Sequence, residues 1–92
     1  MDKPSETFDR AIKNITRQRG SIYGPPGDTF REIAVMQSMV SGCEDAAIRH
    51  ALNMICVKMV RLARTPDHLD SVIDIAGYAR TIAMVLDEEQ KT

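Results

Sequence analysis

Tryptophan is absent from this 92-residue chain and aromatic residues make up only 4% of it, so its core cannot rest on packed rings. The 43% that is hydrophobic comes instead from Ala, Ile, Val, Leu and six Met, an alphabet that favours helices over sheets. Cysteine is scarce. Cys43 and Cys56 are too few and too unpatterned for a disulfide scaffold or a zinc site, and are expected as reduced, buried thiols. Nowhere do about 18 apolar residues run together, which excludes a membrane span, and no apolar stretch follows Lys3 as a secretory signal requires. A cytoplasmic location is the expectation. Neither charge dominates: 12 Lys and Arg against 13 Asp and Glu leave a net charge of −1, without the basic excess of a general nucleic-acid binder. Gly-rich phosphate loops of the Walker or dinucleotide type are missing, as are internal repeats and low-complexity linkers. One small all-α domain is expected over residues 1–92, with stability a live question because a short chain buries a smaller share of its surface.

Four helices can be read along the chain. Ser5 is placed as the N-cap of the first, about residues 6–19, where Phe8, Ile12 and Ile15 repeat at helical spacing until Gly20 stops the run. Asp28 is placed as the cap of the second, about residues 29–41, with Phe30, Ile33, Ala34, Met36, Met39 and Val40 on its apolar face. The third, about residues 44–64, is apolar almost all round, with Ile48, Leu52, Ile55 and Met59 on one side and Met54, Val57 and Val60 on others. Such a helix is central or lies at an interface. Thr65 and Pro66 then read as N-cap and first residue of the fourth, about residues 66–88, whose Val72, Ile75, Ala76, Ala79, Ile82, Ala83 and Leu86 follow a three-four repeat. A short connection between two long helices predicts an antiparallel hairpin of the third and fourth. The surplus apolar surface of the third predicts a homo-oligomer.

The hairpin carries opposite charges on its two arms. Residues 46–64 hold Arg49, Lys58, Arg61 and Arg64 without an acid, whereas residues 65–92 hold Asp67, Asp70, Asp74, Asp87, Glu88 and Glu89 against Arg80 and Lys91. In an antiparallel pair turning near Thr65, residues at one height have numbers summing to roughly 131, given equal rise on both helices. Arg61 then lies level with Asp70, Lys58 with Asp74, and Asn53 with Tyr78. The plainer reading is a set of interhelical ion pairs that fix register, each contributing about 1 kcal/mol or less if exposed. The functional reading is a polar cleft that holds a charged small molecule.

The segment Ser21 to Asp28, SIYGPPGD, also has two readings. It can be a rigid connection in which Tyr23 packs as one of few aromatics. Alternatively it is a ligand wall: Tyr23 stacks on a base, Gly24 and Gly27 permit close backbone approach, and Asp28 accepts a hydrogen bond from the base or ribose. His68, beside Asp67 and Asp70, can act as a base or simply satisfy a turn carbonyl. The cysteines have no convincing base partner, and the methionines read as core filler.

YGPPGDTFREIA and RLARTPDHLDSVIDIAGYA together resemble a family of small phage and prophage proteins, with a YG-P loop followed by a PDH-DS-DIAGYA helix. The likeness spans about residues 17–84 and implies action in the cytoplasm of a bacterial host. More distantly, paired helices with acids spaced along one face resemble the all-α, MazG-like nucleoside triphosphate pyrophosphohydrolases. Those enzymes gather magnesium with two carboxylate pairs on neighbouring helices, because a hard cation holding phosphates needs several carboxylate oxygens. Here Asp67, Asp70 and Asp74 can supply one half, but the facing helix offers His50, Asn53, Lys58 and Arg61, with Glu32 the nearest substitute acid.

Basic groups in place of metal ligands fit phosphate binding better than metal-assisted cleavage. The leading expectation is therefore a binder that sequesters a nucleotide, cyclic nucleotide or related phosphorylated signal without hydrolysing it. No catalytic residue, metal or cofactor is assigned. The candidate ligand residues are Tyr23, Gly24, Gly27, Asp28, Lys58, Arg61, His68, Asp70, Asp74 and Tyr78. A magnesium-dependent pyrophosphohydrolase and a non-catalytic assembly protein are the alternatives.

Overall fold

The computed structural model describes residues 2–90, with the side chains of residues 20–23 outside the described set. Four α-helices and, among the described residues, no strand make up the chain: α1 (Pro4–Tyr23), α2 (Pro26–Val40), α3 (Ala46–Arg64) and α4 (Leu69–Gln90).

None of the four helices starts where the sequence places it, and α1 also ends later. α1 begins at Pro4 with the Lys3 carbonyl accepting from Glu6 and Thr7, so Ser5 lies inside the helix and does not cap it. It continues past Gly20, because one interior glycine costs a helix only about 1 kcal/mol. The stop comes at Gly24, which adopts φ 77° ahead of Pro25, where a following proline disfavours the helical region. Pro25 is extended and Pro26 opens α2, so Asp28 sits inside the first turn and pairs with Arg31 at 2.7 Å. Asp45 caps α3, accepting from the amides of Ala47 and Ile48, both at 3.0 Å. At the far end Thr65 closes α3 by donating its amide to the Arg61 carbonyl and does not cap α4. Pro66 and Asp67 form a turn, and α4 starts only at Leu69.

α3 is the central element. α1, α2 and α4 all pack on it, whereas among the described residues α4 touches neither α1 nor α2. Its buried Ala51, Cys56 and Val60 form the core with Ile33 of α2, closed by buried Thr29 and Ser71. Thr29 donates its hydroxyl to the Pro25 carbonyl at 3.2 Å within the start of α2, and Gln37 fastens α2 to α3 by donating to the Asn53 carbonyl at 3.3 Å. Along the other seam Lys58 lies 2.9 Å from Asp74, and the Asp45 carboxyl at the start of α3 shares a hydrogen bond with Glu89 near the end of α4. The described part of the chain contains no helix long and apolar enough to cross a membrane.

Candidate functional site

A groove of about 460 Å³ opens where α1, α2 and α3 meet. Phe30, Ile33 and Ala34 of α2 and Val57 of α3 give it an apolar wall, and Gly24 and Pro26 close one end. Two guanidinium groups border it, Arg19 from the last turns of α1 and Arg61 from α3, with Thr16 and Gln37 as further polar groups. Val57 and Arg61 stand four residues apart and so share one face of α3, while Lys58 looks towards α4. Positively charged forks beside an apolar wall suit a flat ligand that carries an anion.

Gly24 shapes this end of the groove in two ways. Its φ of 77° is strained for any residue with a side chain, and a Cβ there would stand 3.1 Å from the Arg64 guanidinium. Arg64 reaches under the turn and forms an ion pair with Glu32 of α2, tying the end of α3 to α2 behind the groove. Its Nε is buried without a hydrogen-bond partner.

Of the sequence-predicted residues whose side chains are described, Gly24 and Arg61 line the groove. Gly27 and Asp28 lie on the exposed first turn of α2, Gly27 beneath the Arg31 side chain. Lys58 and Asp74 are engaged with each other, with Lys58 the more enclosed of the two at 15% exposure. His68 meets Ser71 through Nδ1 and Oγ at 2.7 Å, and Ser71 is the most enclosed side chain among the described residues. That pair braces the first turn of α4 in the manner of a cap. Asp70 is exposed and Tyr78 half-buried on α4, and neither borders the groove. The Tyr23 side chain lies outside the described residues. Thus the expected single site separates into a groove on one side of α3 and an ion-paired seam on the other. Arg19, Thr16, Gln37 and Val57 had no signal of their own; carrying α1 through Gly20 would have brought Thr16 and Arg19 to the loop.

Among the described residues, no three His, Cys, Asp or Glu side chains gather in a way that could hold a metal ion. Burial raises the Cys56 pKa, so the thiol stays protonated, and Cys43 is half-buried. The hydrogen bond to Glu89, helped by the α3 amides, holds Asp45 below the usual carboxylate range; the same bond pushes Glu89 up. A second hollow of about 530 Å³ lies between α2 and α3, bordered by Arg31 and Glu32, which pair with Asp28 and Arg64.

Residues 6–86 match a family model described as a domain of unknown function, DUF6378. The chain belongs to the DUF6378 family. It is also similar to the Gene 55 protein of Mycobacterium phage D29, 34% identical over 81 residues, or 88% of this chain. The chain spans about half the length of that relative, 54%. No solved structure matches. The matched stretch of this DUF6378 chain takes in the groove-lining residues and the Lys58–Asp74 pair of the α3–α4 seam. Neither match carries the pyrophosphohydrolase likeness.

Proposed function

We propose that this protein binds a nucleotide or nucleotide-derived signal in the groove between α1, α2 and α3 and sequesters it, in the bacterial cytoplasm where a phage product would meet it. The convergence of Arg19 and Arg61 on one apolar groove carries this reading. The guanidinium groups hold the phosphate, each charge-assisted hydrogen bond contributing roughly 1.5 to 3 kcal/mol, and Phe30, Ile33 and Val57 cover the base. Gly24 lets the ligand approach the backbone.

The antiparallel arrangement of α3 and α4 belongs to this reading, supported by the meeting of Lys58 with Asp74 and of Asp45 with Glu89. So does self-association. The radius of gyration is 16.8 Å, against about 12 Å for a compact chain of this length, and much apolar surface stays exposed. The hydrolytic alternative loses its best substitute acid, because Glu32 is engaged by Arg64.

The test is a thermal melt of the full chain with nucleoside mono-, di- and triphosphates and cyclic mono- and dinucleotides, with and without magnesium. A bound ligand at about 100 times its Kd adds roughly 2.7 kcal/mol, an upward shift of many degrees. That shift should vanish in Arg61→Glu and Arg19→Glu and weaken in Phe30→Ala. No shift from any compound, or a shift that survives in folded Arg61→Glu, would reject the site. Magnesium-dependent release of pyrophosphate would put the enzyme reading first.

A further inference from the structure

α4 carries two apolar stripes, and the chain covers only one. Ser71, Ile75, Tyr78, Ile82 and Val85 face α3 and are buried or half-buried. Leu69, Val72, Ala76, Ala79, Ala83 and Leu86 follow the same alternation of three and four on the other side, and every one of them is exposed. Their spacing is the seam of a helix pair, and the alanines at its centre leave room for a second helix to come close.

α1 presents the matching half. Phe8, Ile12 and Ile15 lie on one face, exposed by 63%, 44% and 45%, although Thr16 and Arg19 farther along the helix reach the groove. These bulky side chains cover the same length of helix as Ala76, Ala79 and Ala83, so large residues meet small ones. Within one chain, among the described residues, the two helices do not touch.

We propose that α1 of one copy packs its Phe8, Ile12 and Ile15 stripe on the outer alanine stripe of α4 of a second copy, and that the exchange is reciprocal about a two-fold axis. Such an arrangement closes on itself, buries both faces twice and fills the space that makes the single chain so extended. It rests on the self-association stated above and not on the ligand. It also places the interface on α1 and α4, the two helices that flank α3 in its own chain.

The experiment is light scattering of the full chain at micromolar concentrations, with circular dichroism to confirm helicity. The wild type should give twice the 10.3 kDa chain mass. Ile12→Arg and Ala79→Arg should each give the single-chain mass, and Val35→Lys, on an exposed part of α2, should stay dimeric. Mixing the two dissociated variants should restore part of the dimer, because a mixed pair keeps one intact α1–α4 contact. A wild-type mass of 10.3 kDa at every concentration would overturn self-association and this pairing together. Dissociation by Ala79→Arg alone, or the absence of rescue on mixing, would overturn the pairing while leaving self-association standing.

Discussion

Replacing Gly24 by alanine tests whether the turn between α1 and α2 is built as described. Two separate costs arise. Holding a residue with a Cβ in the left-handed region costs about 1 to 2 kcal/mol, and Gly24 has φ 77°. The new methyl group would also stand 3.1 Å from the Arg64 guanidinium, which must give way and loosen its pairing with Glu32. Both members of that pair retain access to solvent, so this second cost is about 1 kcal/mol or less. Together they predict a loss of about 1 to 3 kcal/mol, or roughly 5 to 20 °C in melting temperature for a domain of this size. Urea and thermal unfolding, followed by circular dichroism at fixed protein concentration, provide the assay. Gly42→Ala is the control: it meets nothing within 4 Å and has no left-handed φ, so it should melt with the wild type or above it. Gly24→Asn should lose less than Gly24→Ala, because asparagine tolerates the left-handed region. Arg64→Ala should reduce the further cost of Gly24→Ala if crowding contributes, a non-additivity that a double-mutant cycle measures. The reasoning fails if Gly24→Ala melts within a degree of the wild type, or if Gly42→Ala falls as far.

The Lys58 and Asp74 pair should respond unequally to loss of either member. Asp74→Ala strands an ammonium that is only 15% exposed and should cost about 1 to 3 kcal/mol in urea melts, whereas Lys58→Met leaves a more accessible carboxylate and should cost less; the opposite order would contradict the burial. The Asp45 and Glu89 pair gives stability a pH signature. Glu89 is raised, so its contribution is present below the ordinary carboxylate pKa and lost as pH rises through the raised value; Asp45 is lowered, so its contribution is present above its ordinary value and lost as pH falls through the lowered one. Both act together only around the ordinary carboxylate range. Glu89→Gln, neutral at every pH, should therefore melt above the wild type at pH 7, with the gap closing towards pH 4; a constant gap or a reversed sign would count against the shared proton. Thiol labelling should modify half-buried Cys43 well before buried Cys56, whose pKa is raised by burial, and equal rates in the native protein would contradict that placement.

The helices were legible because their apolar periods are long, and the ends were not, because local signals compete there. Gly20 and Ser5 look like boundaries by composition, yet a single glycine is a weak stop and Pro4 begins a helix well. Asp28 falls inside the first turn because Pro25 and Pro26 open α2 ahead of it, whereas Asp45 stands just before α3 and receives its amides. Thr65 before Pro66 looks like a helix start; in the fold it ends α3 instead. The pairing of Lys58 with Asp74 could be read from numbering alone, since it depends only on helical rise about a turn. The groove could not be read in that way. Arg19 and Arg61 lie far apart in the sequence, and only the packing of α1 and α2 on α3 brings them to one opening. The second stripe of α4 was partly visible in Val72, Ala76, Ala79, Ala83 and Leu86, mixed there with the Ile75 and Ile82 that face α3.

The two proposals meet at α1, and their meeting predicts a coupling. Thr16 and Arg19, which line the groove, belong to the helix whose earlier turns carry Phe8, Ile12 and Ile15. Fixing those turns on a second copy fixes one wall of the groove, so a dimer presents Arg19 opposite Arg61 with less conformational freedom to lose on binding. A ligand that engages both guanidinium groups must in turn hold α1 in the position that suits its partner. Linkage ties the two effects together: with one site per copy, saturating ligand strengthens the dimer by the square of the factor by which dimerisation strengthens binding at each site. The monomeric Ile12→Arg variant should bind any compound selected by the wild type more weakly, although Ile12 does not line the groove. That same compound should lower the dimer dissociation constant of the wild type by the corresponding factor, measured by sedimentation velocity. Equal ligand affinity in the wild type and Ile12→Arg, with a dimer indifferent to ligand, would show that α1 performs two unconnected tasks.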